Sequence, residues 1–285
     1  MFALIGIVVV LGSIIGGYLM EHGHLMVLFQ PAELVIIGGA ALGSMLIANP
    51  IHILMGIAKG LPVILKGSPY SKAHLLETLK LLYDLFSHIR KVGMAGAEAD
   101  AEKPDQSPVF SKYPKILKDH HAIAFLCDTL RTVTTGAVSH HEIDQILETD
   151  IETHHHAKAQ PVAALQTIAD SLPGLGIVAA VLGVVITMGA IGGPPEEVGH
   201  KVAAALVGTF LGILLCYGFI GPLASNLNKI NEEEGQYYQV LRQGLVAFIK
   251  GSPPLIAVEF ARRTIPGHVR PGYQEMEAAC RGKAS

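Results

Sequence analysis

The chain has 285 residues, is 50% hydrophobic and only 16% charged, and carries a formal net charge of −3. That much apolar character over this length excludes an ordinary soluble domain. The near-balanced charge, with basic and acidic residues interleaved, offers no footing for a nucleic-acid partner.

The stretch from Phe2 to Met20 contains no Lys, Arg, Asp or Glu and matches the roughly 20 apolar residues that a helix needs to cross a hydrocarbon core about 30 Å thick. No basic residue precedes it and no clear small-residue cleavage site follows it, so it is expected to persist as a membrane helix and not be removed as a signal peptide. A second uncharged block runs from Leu34 to Ala58, and segment 1–58 is expected to hold transmembrane helices 1 and 2. Segment 59–168 is polar. Leu75, Leu76, Leu79, Leu82 and Phe86, and likewise Ile123, Leu126 and Leu130, recur at helical spacing, and Pro104 and Pro114 mark turns, so this segment reads as a helical domain. It contains His120-His121, His140-His141 and His154-His155-His156. Neighbouring histidines point to different helix faces, whereas a zinc site on one helix needs them three or four apart, so these runs read as solvated faces and not as metal ligands. Uncharged blocks from Leu172 to Gly193 and from Val202 to Ser225 supply transmembrane helices 3 and 4 within segment 169–225, and segment 226–285 reads as a helical tail. The fold class is thus an all-α membrane protein of four transmembrane helices with a large helical cytoplasmic domain.

Of the 21 Lys/Arg residues, twelve lie from Lys59 to Lys158 and eight from Lys229 to Lys283; the remaining one is Lys201. The positive-inside rule then places the middle segment, the tail and both termini in the cytoplasm. Cys127, Cys216 and Cys280 are scattered and read as reduced thiols without a disulfide or zinc framework. Small residues recur four apart within the blocks, at Gly12/Gly16, Gly39/Gly43, Ala179/Gly183 and Gly208/Gly212, a pattern that lets helix backbones approach closely and favours a tightly packed, oligomeric assembly.

A protein that carries protons by itself needs an ionisable side chain within its bundle. The four blocks have no such carboxylate. Glu33, His52, Asp170 and His200 fall at or near their ends, where water or headgroups are in reach, so any ion-carrying group is expected from a second protein. Ser13, Ser44, Thr187 and Thr209 are the deep hydroxyls; such groups most often bond the carbonyl of their own preceding turn, and Thr209, between Gly208 and Gly212, is the candidate for a polar path. Pro173, at the start of the third block, and Pro222, at the end of the fourth, fall at one membrane face and read as paired hinges, with a kink expected at Pro222. No nucleophile, base and orienting group assemble into a motif, so no enzyme is expected.

Four groups of residues carry a resemblance: Gln30-Pro31-Ala32-Glu33-Leu34-Val35-Ile36-Ile37-Gly38-Gly39-Ala40; Asp170-Ser171-Leu172-Pro173-Gly174-Leu175-Gly176-Ile177-Val178-Ala179-Ala180; Val207-Gly208-Thr209-Phe210-Leu211-Gly212 with Gly218-Phe219-Ile220-Gly221-Pro222; and Ile256-Ala257-Val258-Glu259-Phe260-Ala261-Arg262-Arg263. With them the chain resembles the MotA flagellar stator family in its long-loop form. The resemblance implies a homo-pentamer in the lipid of the bacterial inner membrane, placed around a MotB dimer whose helix brings the proton-binding aspartate. It implies that Pro173, Ala180, Thr209 and Pro222 flank the ion path, that Arg90 and Glu98 contact the rotor protein FliG, and that no cofactor is needed. Sodium-driven relatives tend to carry threonine where this chain has Ala180, so protons are favoured over sodium as the coupling ion. The implied function is a stator subunit converting proton flow into torque. The alternatives are an energiser of the ExbB/TolQ type, which has three spans, and a metal-ion transporter with a histidine-rich loop, which calls for a chelating residue in mid-membrane that the blocks lack.

Overall fold

A computed structural model describes residues 2–136, 138–189 and 191–282, so the ends of the sequence-derived segments at residues 1 and 283–285 lie outside the described residues. In chain order the α-helices are α1 (Phe2–Met20), α2 (Leu25–Leu28), α3 (Pro31–Ala48), α4 (Ile51–Lys66), α5 (Lys72–Val92), α6 (Met94–Glu102), α7 (Pro114–Leu117), α8 (His120–Thr134), α9 (His140–Met188), α10 (Pro195–Leu214), α11 (Gly221–Ile249), α12 (Pro254–Thr264) and α13 (Tyr273–Arg281). Short 3-10 turns at Pro104–Gln106 and Phe110–Lys112 separate α6 from α7, and a π-helical segment, Leu215–Ile220, joins α10 to α11. There is no strand among the described residues.

Four helical stretches are long and apolar enough to cross a membrane: Phe2–Met20, Leu25–Ala48, and parts of His140–Met188 and Pro195–Ile249. The protein is an all-α membrane protein. At ~1.5 Å per residue α9 is far longer than a hydrocarbon core needs, and only its apolar part beyond Leu172 suits that environment.

The second span differs from its expected extent. Helix α3 ends at Ala48, not near Ala58, because Asn49 precedes Pro50 and adopts an extended conformation (φ −130, ψ 137), as steric conflict with a following proline requires. Both its backbone N–H and its side-chain amide donate to the Met45 carbonyl. Helix α4 then restarts with an amphipathic pattern: Ile57, Gly60 and Ile64 are buried while Lys59 and Lys66 are exposed.

Residue contacts divide the chain into two compact units, Met1–Gly67 with Ala157–Ile230, and Ser68–His156 with Asn231–Ser285. The division falls after Gly67, so α4 belongs with the apolar helices; the Pro161 ring lies against Gly56, and the Leu227 side chain against Gly60. In this first unit Ile37, Ala41, Ala169, Leu172, Ala179 and Cys216 form one buried cluster.

The second unit holds the larger core. Leu79, Leu82, Leu85 and Phe86 of α5 are fully buried with Phe110, Ile116, Leu126, Leu130 and Leu241, and the Phe86 and Phe248 rings stack at 4.4 Å. Each fully buried side chain of this size contributes about 1.5–3 kcal/mol. Sequence-local signals set the helix ends. The Ser71 hydroxyl caps α5 by accepting from the His74 N–H, and the Asp119 carboxylate caps α8 by accepting from the Ala122 N–H. At the start of α9, Ser139 and Glu142 exchange a reciprocal pair of cap bonds. Arg242, 9% exposed, donates to Asp144 and Glu148 at 2.7 and 3.1 Å, tying α11 to the start of α9 within this unit. All three cysteines are buried and free, and burial pushes the Cys127 thiol up to about 11 and the Cys280 thiol up to about 12.

Candidate functional site

In the first unit the apolar part of α9 and helix α10 meet backbone to backbone. A Cβ placed on Gly212 would lie 2.5 Å from the Leu172 carbonyl oxygen and 2.9 Å from the Gly176 Cα; one on Gly176 would lie 2.8 Å from the Gly208 carbonyl oxygen. Further along the same pair, Gly183 abuts Ala205. Small residues at these positions let the helices pack this closely, which is how spans associate in lipid. Gly12, Gly16, Gly39 and Gly43, which share the spacing, have open space beside them within this chain.

This contact gathers three of the four candidate path residues. Pro173 follows Leu172 and is half-buried; the Ala180 backbone nitrogen would be 3.2 Å from a Cβ on Gly208; Thr209, half-buried, adjoins Gly208. Pro173 does not start a helix. It lies inside α9, as does Pro161, and the helix runs through both, since tertiary packing on either side outweighs the loss of one hydrogen bond per proline.

Pro222 stands apart from that strip. It is exposed, in the first turn of α11, and directly follows the π-helical segment Leu215–Ile220. A proline has no N–H to give and its ring crowds the carbonyl four residues back; the wider π turn relieves both within a continuing helix. The irregularity expected at Pro222 is thus a π segment preceding it. Among the deep hydroxyls, Ser44 donates to the Ala41 carbonyl at 2.9 Å and Thr187 to the Gly183 carbonyl at 2.8 Å, the local bonding anticipated for them.

Glu33 is where reading the sequence alone misjudged the bundle. Counted as a span-end group in reach of water, it is only 7% exposed. It lies in the first turn of α3, and its Oε2 occupies the space that a side chain on Gly208 would fill, 2.5 Å from where that Cβ would be. That oxygen has no hydrogen-bond partner among the described residues. The available signal was Gly208 itself: a glycine within a span leaves room for something.

In the second unit Arg90 and Glu98 are both exposed, on different helices: α5 ends at Gly93, whose φ of 79° favours glycine, and α6 begins at once and packs back on α5. Arg90 donates to the Gly251 carbonyl at 3.4 Å. On either side of Glu98 along α6, Ala97 and Ala101 are fully buried in the core, while Asp100 pairs with His88 at 2.9 Å.

The histidine runs split. His120, His140, His141, His155 and His156 are exposed, as expected of solvated faces, but His121 and His154 are half-buried and their rings stack at 3.9 Å. His154 Nε2 lies 3.1 Å from Glu234, and Tyr238 meets both rings edge-on. The solvated reading fails for these two because α8, α9 and α11 converge there. Burial, then the neighbouring His154, holds His121 below the ordinary histidine range.

Residues 4–93 match the family described as Motility protein A N-terminal, and residues 118–240 match the MotA/TolQ/ExbB proton channel family. The chain is 43% identical over 277 residues to Motility protein A of Escherichia coli (strain K12), covering 97% of this chain and 94% of that one. This chain belongs to the motility protein A family. Chemotaxis protein LafT of Vibrio parahaemolyticus is 37% identical over 273 residues, covering 96% of each chain. The fold of the motility protein A family recurs in the flagellar MotAB stator complex from Bacillus subtilis, with a TM-score of 0.75 at 22% identity, covering 94% of this chain and 97% of that one. It recurs also in C. jejuni MotAB, with a TM-score of 0.76 at 17% identity, covering 93% and 95%.

Proposed function

We infer that this chain is the multi-span subunit of a flagellar stator and works with a MotB partner to turn proton flow across the bacterial inner membrane into torque on the rotor. The observation that carries this is the match to Motility protein A along almost the whole chain, including the N-terminal residues 4–93. The match to the Motility protein A N-terminal family sets the chain apart from the three-span ExbB/TolQ type, and the described residues hold no group of three or more His, Cys, Asp or Glu side chains that would favour a metal transporter. The charge asymmetry supports a cytoplasmic second unit and tail, with both termini inside.

The coupling ion reads as a proton, on the match to a proton channel family and on Ala180. Moving one charge through about 150 mV releases ~3.5 kcal/mol, several times thermal energy and enough to bias one step. The carrier is the aspartate of a MotB dimer, beside which five copies of this chain stand as a ring in the lipid. Pro173, Ala180 and Thr209, lined along the α9/α10 contact, flank the path, and Pro222 with its π segment supplies a second flexible point. Exposed Arg90 and Glu98 meet charges on the rotor protein FliG, each pair contributing only about 0.2–1 kcal/mol, weak enough to break at every step.

Clean deletion of the gene, with its restoration on a plasmid, tests this through swimming and filament counts. Filaments that are present but paralysed, with swimming restored by the gene, are expected. Normal swimming alongside a leaky envelope would move the chain to the ExbB/TolQ kind of work.

A further inference from the structure

The four apolar blocks lack an internal charge, yet the packed bundle contains a carboxyl. Glu33 lies in the first turn of α3, 7% exposed, with Oε2 set over the bare backbone of Gly208 and without a hydrogen-bond donor among the described residues. Helix α2 (Leu25–Leu28) and the rest of α3 carry no titratable group, and the neighbouring α9 residues are Ala179 and Ala180. On α10 the titratable groups are Glu196, Glu197, His200 and Lys201, all exposed or half-exposed in its first two turns, with Lys201 paired to Glu197 at 2.9 Å. About two to three turns separate them from Gly208. The Cys216 thiol is buried two turns beyond Gly208, in the cluster that contains Ile37.

A charge on a carboxylate whose Oε2 is buried without a donor among the described residues is costly, whereas the neutral acid costs far less. Seating Glu33 on Gly208 is thus coupled to carrying a proton, and leaving that seat for water is coupled to losing it. Resting on the stator reading above, we propose that Glu33 is a proton-binding residue of the coupling path, contributed by this chain in addition to the carboxylate of its partner. Under the positive-inside orientation the start of α3 faces outward. A proton delivered by hydronium forms the O–H bond on Glu33, leaving water; that bond breaks when the proton passes to the partner subunit's carboxylate, and Glu33 returns to its anion. The glycine at Gly208 is the cradle: any side chain there would occupy the position of Oε2.

The test uses the full chain with its native partner, in a strain lacking both. Glu33→Gln keeps the shape and polarity of the side chain but cannot take up and release a proton, and Glu33→Asp keeps the acid. The expected result is that E33Q reaches the membrane at wild-type level and slows swimming by at least about tenfold, a lower bound for losing a positioned proton-transfer group. E33D is expected to recover most of the speed and to respond more steeply than E33Q to external pH. E33Q that swims like wild type across external pH overturns the proposal, including the case where Glu33→Ala fails, because packing alone would then explain the residue. Infrared difference titration of the purified wild-type and E33D complexes tests it without relying on E33Q assembly: a carboxylic-acid carbonyl band that E33D shifts is expected, and no band altered by that substitution overturns it. Failure of the wild-type genes to restore swimming would instead overturn the stator reading itself.

Discussion

Replacing Gly212 by alanine places a methyl group where two helix backbones already touch. Its carbon would stand 2.5 Å from the Leu172 carbonyl oxygen, 2.9 Å from the Gly176 Cα and 3.1 Å from the Gly176 nitrogen. Ordinary carbon contacts lie near 3.5–4.0 Å, so α9 and α10 must part by roughly 1 Å, a gap that forfeits a quarter to a half of each affected dispersion contact. Such overpacking costs about 1–3 kcal/mol, and no rotamer offers escape because the opposing atoms are main chain. Alanine also gains up to ~1 kcal/mol over glycine from helix propensity, so a second glycine serves as reference. The three atoms nearest to a methyl on Gly60 all belong to the Leu227 side chain, its terminal carbons at 2.9 and 3.1 Å, and those can rotate aside. The propensity gain is common to G212A and G60A, and the difference between them isolates the steric cost. With about 2–4 °C per kcal/mol for a chain of this size, G212A is expected to melt about 2–12 °C below G60A when the complexes are followed by thermal unfolding in detergent, and to swim more slowly. Equal or higher melting of G212A, with full motility, would refute the backbone contact.

Pro222→Ala restores an N–H and removes the ring that the π segment accommodates, so Leu215–Ile220 is expected to tighten toward α-helix; torque in a tethered-cell assay should fall while the protein remains in the membrane. Arg90→Glu alters an exposed residue whose only side-chain hydrogen bond among the described residues is the 3.4 Å one to the Gly251 carbonyl, so melting should stay within about 2 °C of wild type while swimming falls, and an opposite-charge change on the rotor surface should recover it. His121 is held below the ordinary histidine value by burial and by His154, so the folded state binds fewer protons there than the unfolded one. Its contribution is complete above the unfolded value of about 6.5 and is lost as pH falls below it; His121→Gln should therefore flatten the decline in melting temperature from about pH 7.5 to 5.5, with the part due to His74, also lowered by burial, remaining.

Composition and local chemistry sufficed for the helical architecture. Four uncharged blocks follow from the cost of charge in hydrocarbon, which is paid residue by residue and so shows in a linear pattern. Caps such as Ser71 and Asp119, and the break before Pro114, are likewise decided within one turn. Even the close-packing role of Gly208 and Gly212 was legible, because small residues four apart mark one helix face. The candidate path residues Pro173, Ala180 and Thr209 came from motif resemblance; that they share one strip is a fact of how α9 and α10 cross.

Other features did not follow from the pattern of apolar blocks. The second span ends at Asn49 because one peptide before a proline is extended, a preference too weak in isolation to interrupt so apolar a block. His121 and His154 are separated by a turn and much of a helix, and only the convergence of α8, α9 and α11 stacks them. Glu33 shows the limit most clearly. Its place near the start of a span predicted water, and burial came instead from Gly208 on a helix far along the chain. Sequence by itself determined which segments are helical and which of them belong in lipid, since those depend on each residue's own transfer free energy and its neighbours within a turn. Only the tertiary structure decided which polar groups are buried, because burial is a property of the surfaces that distant helices bring together.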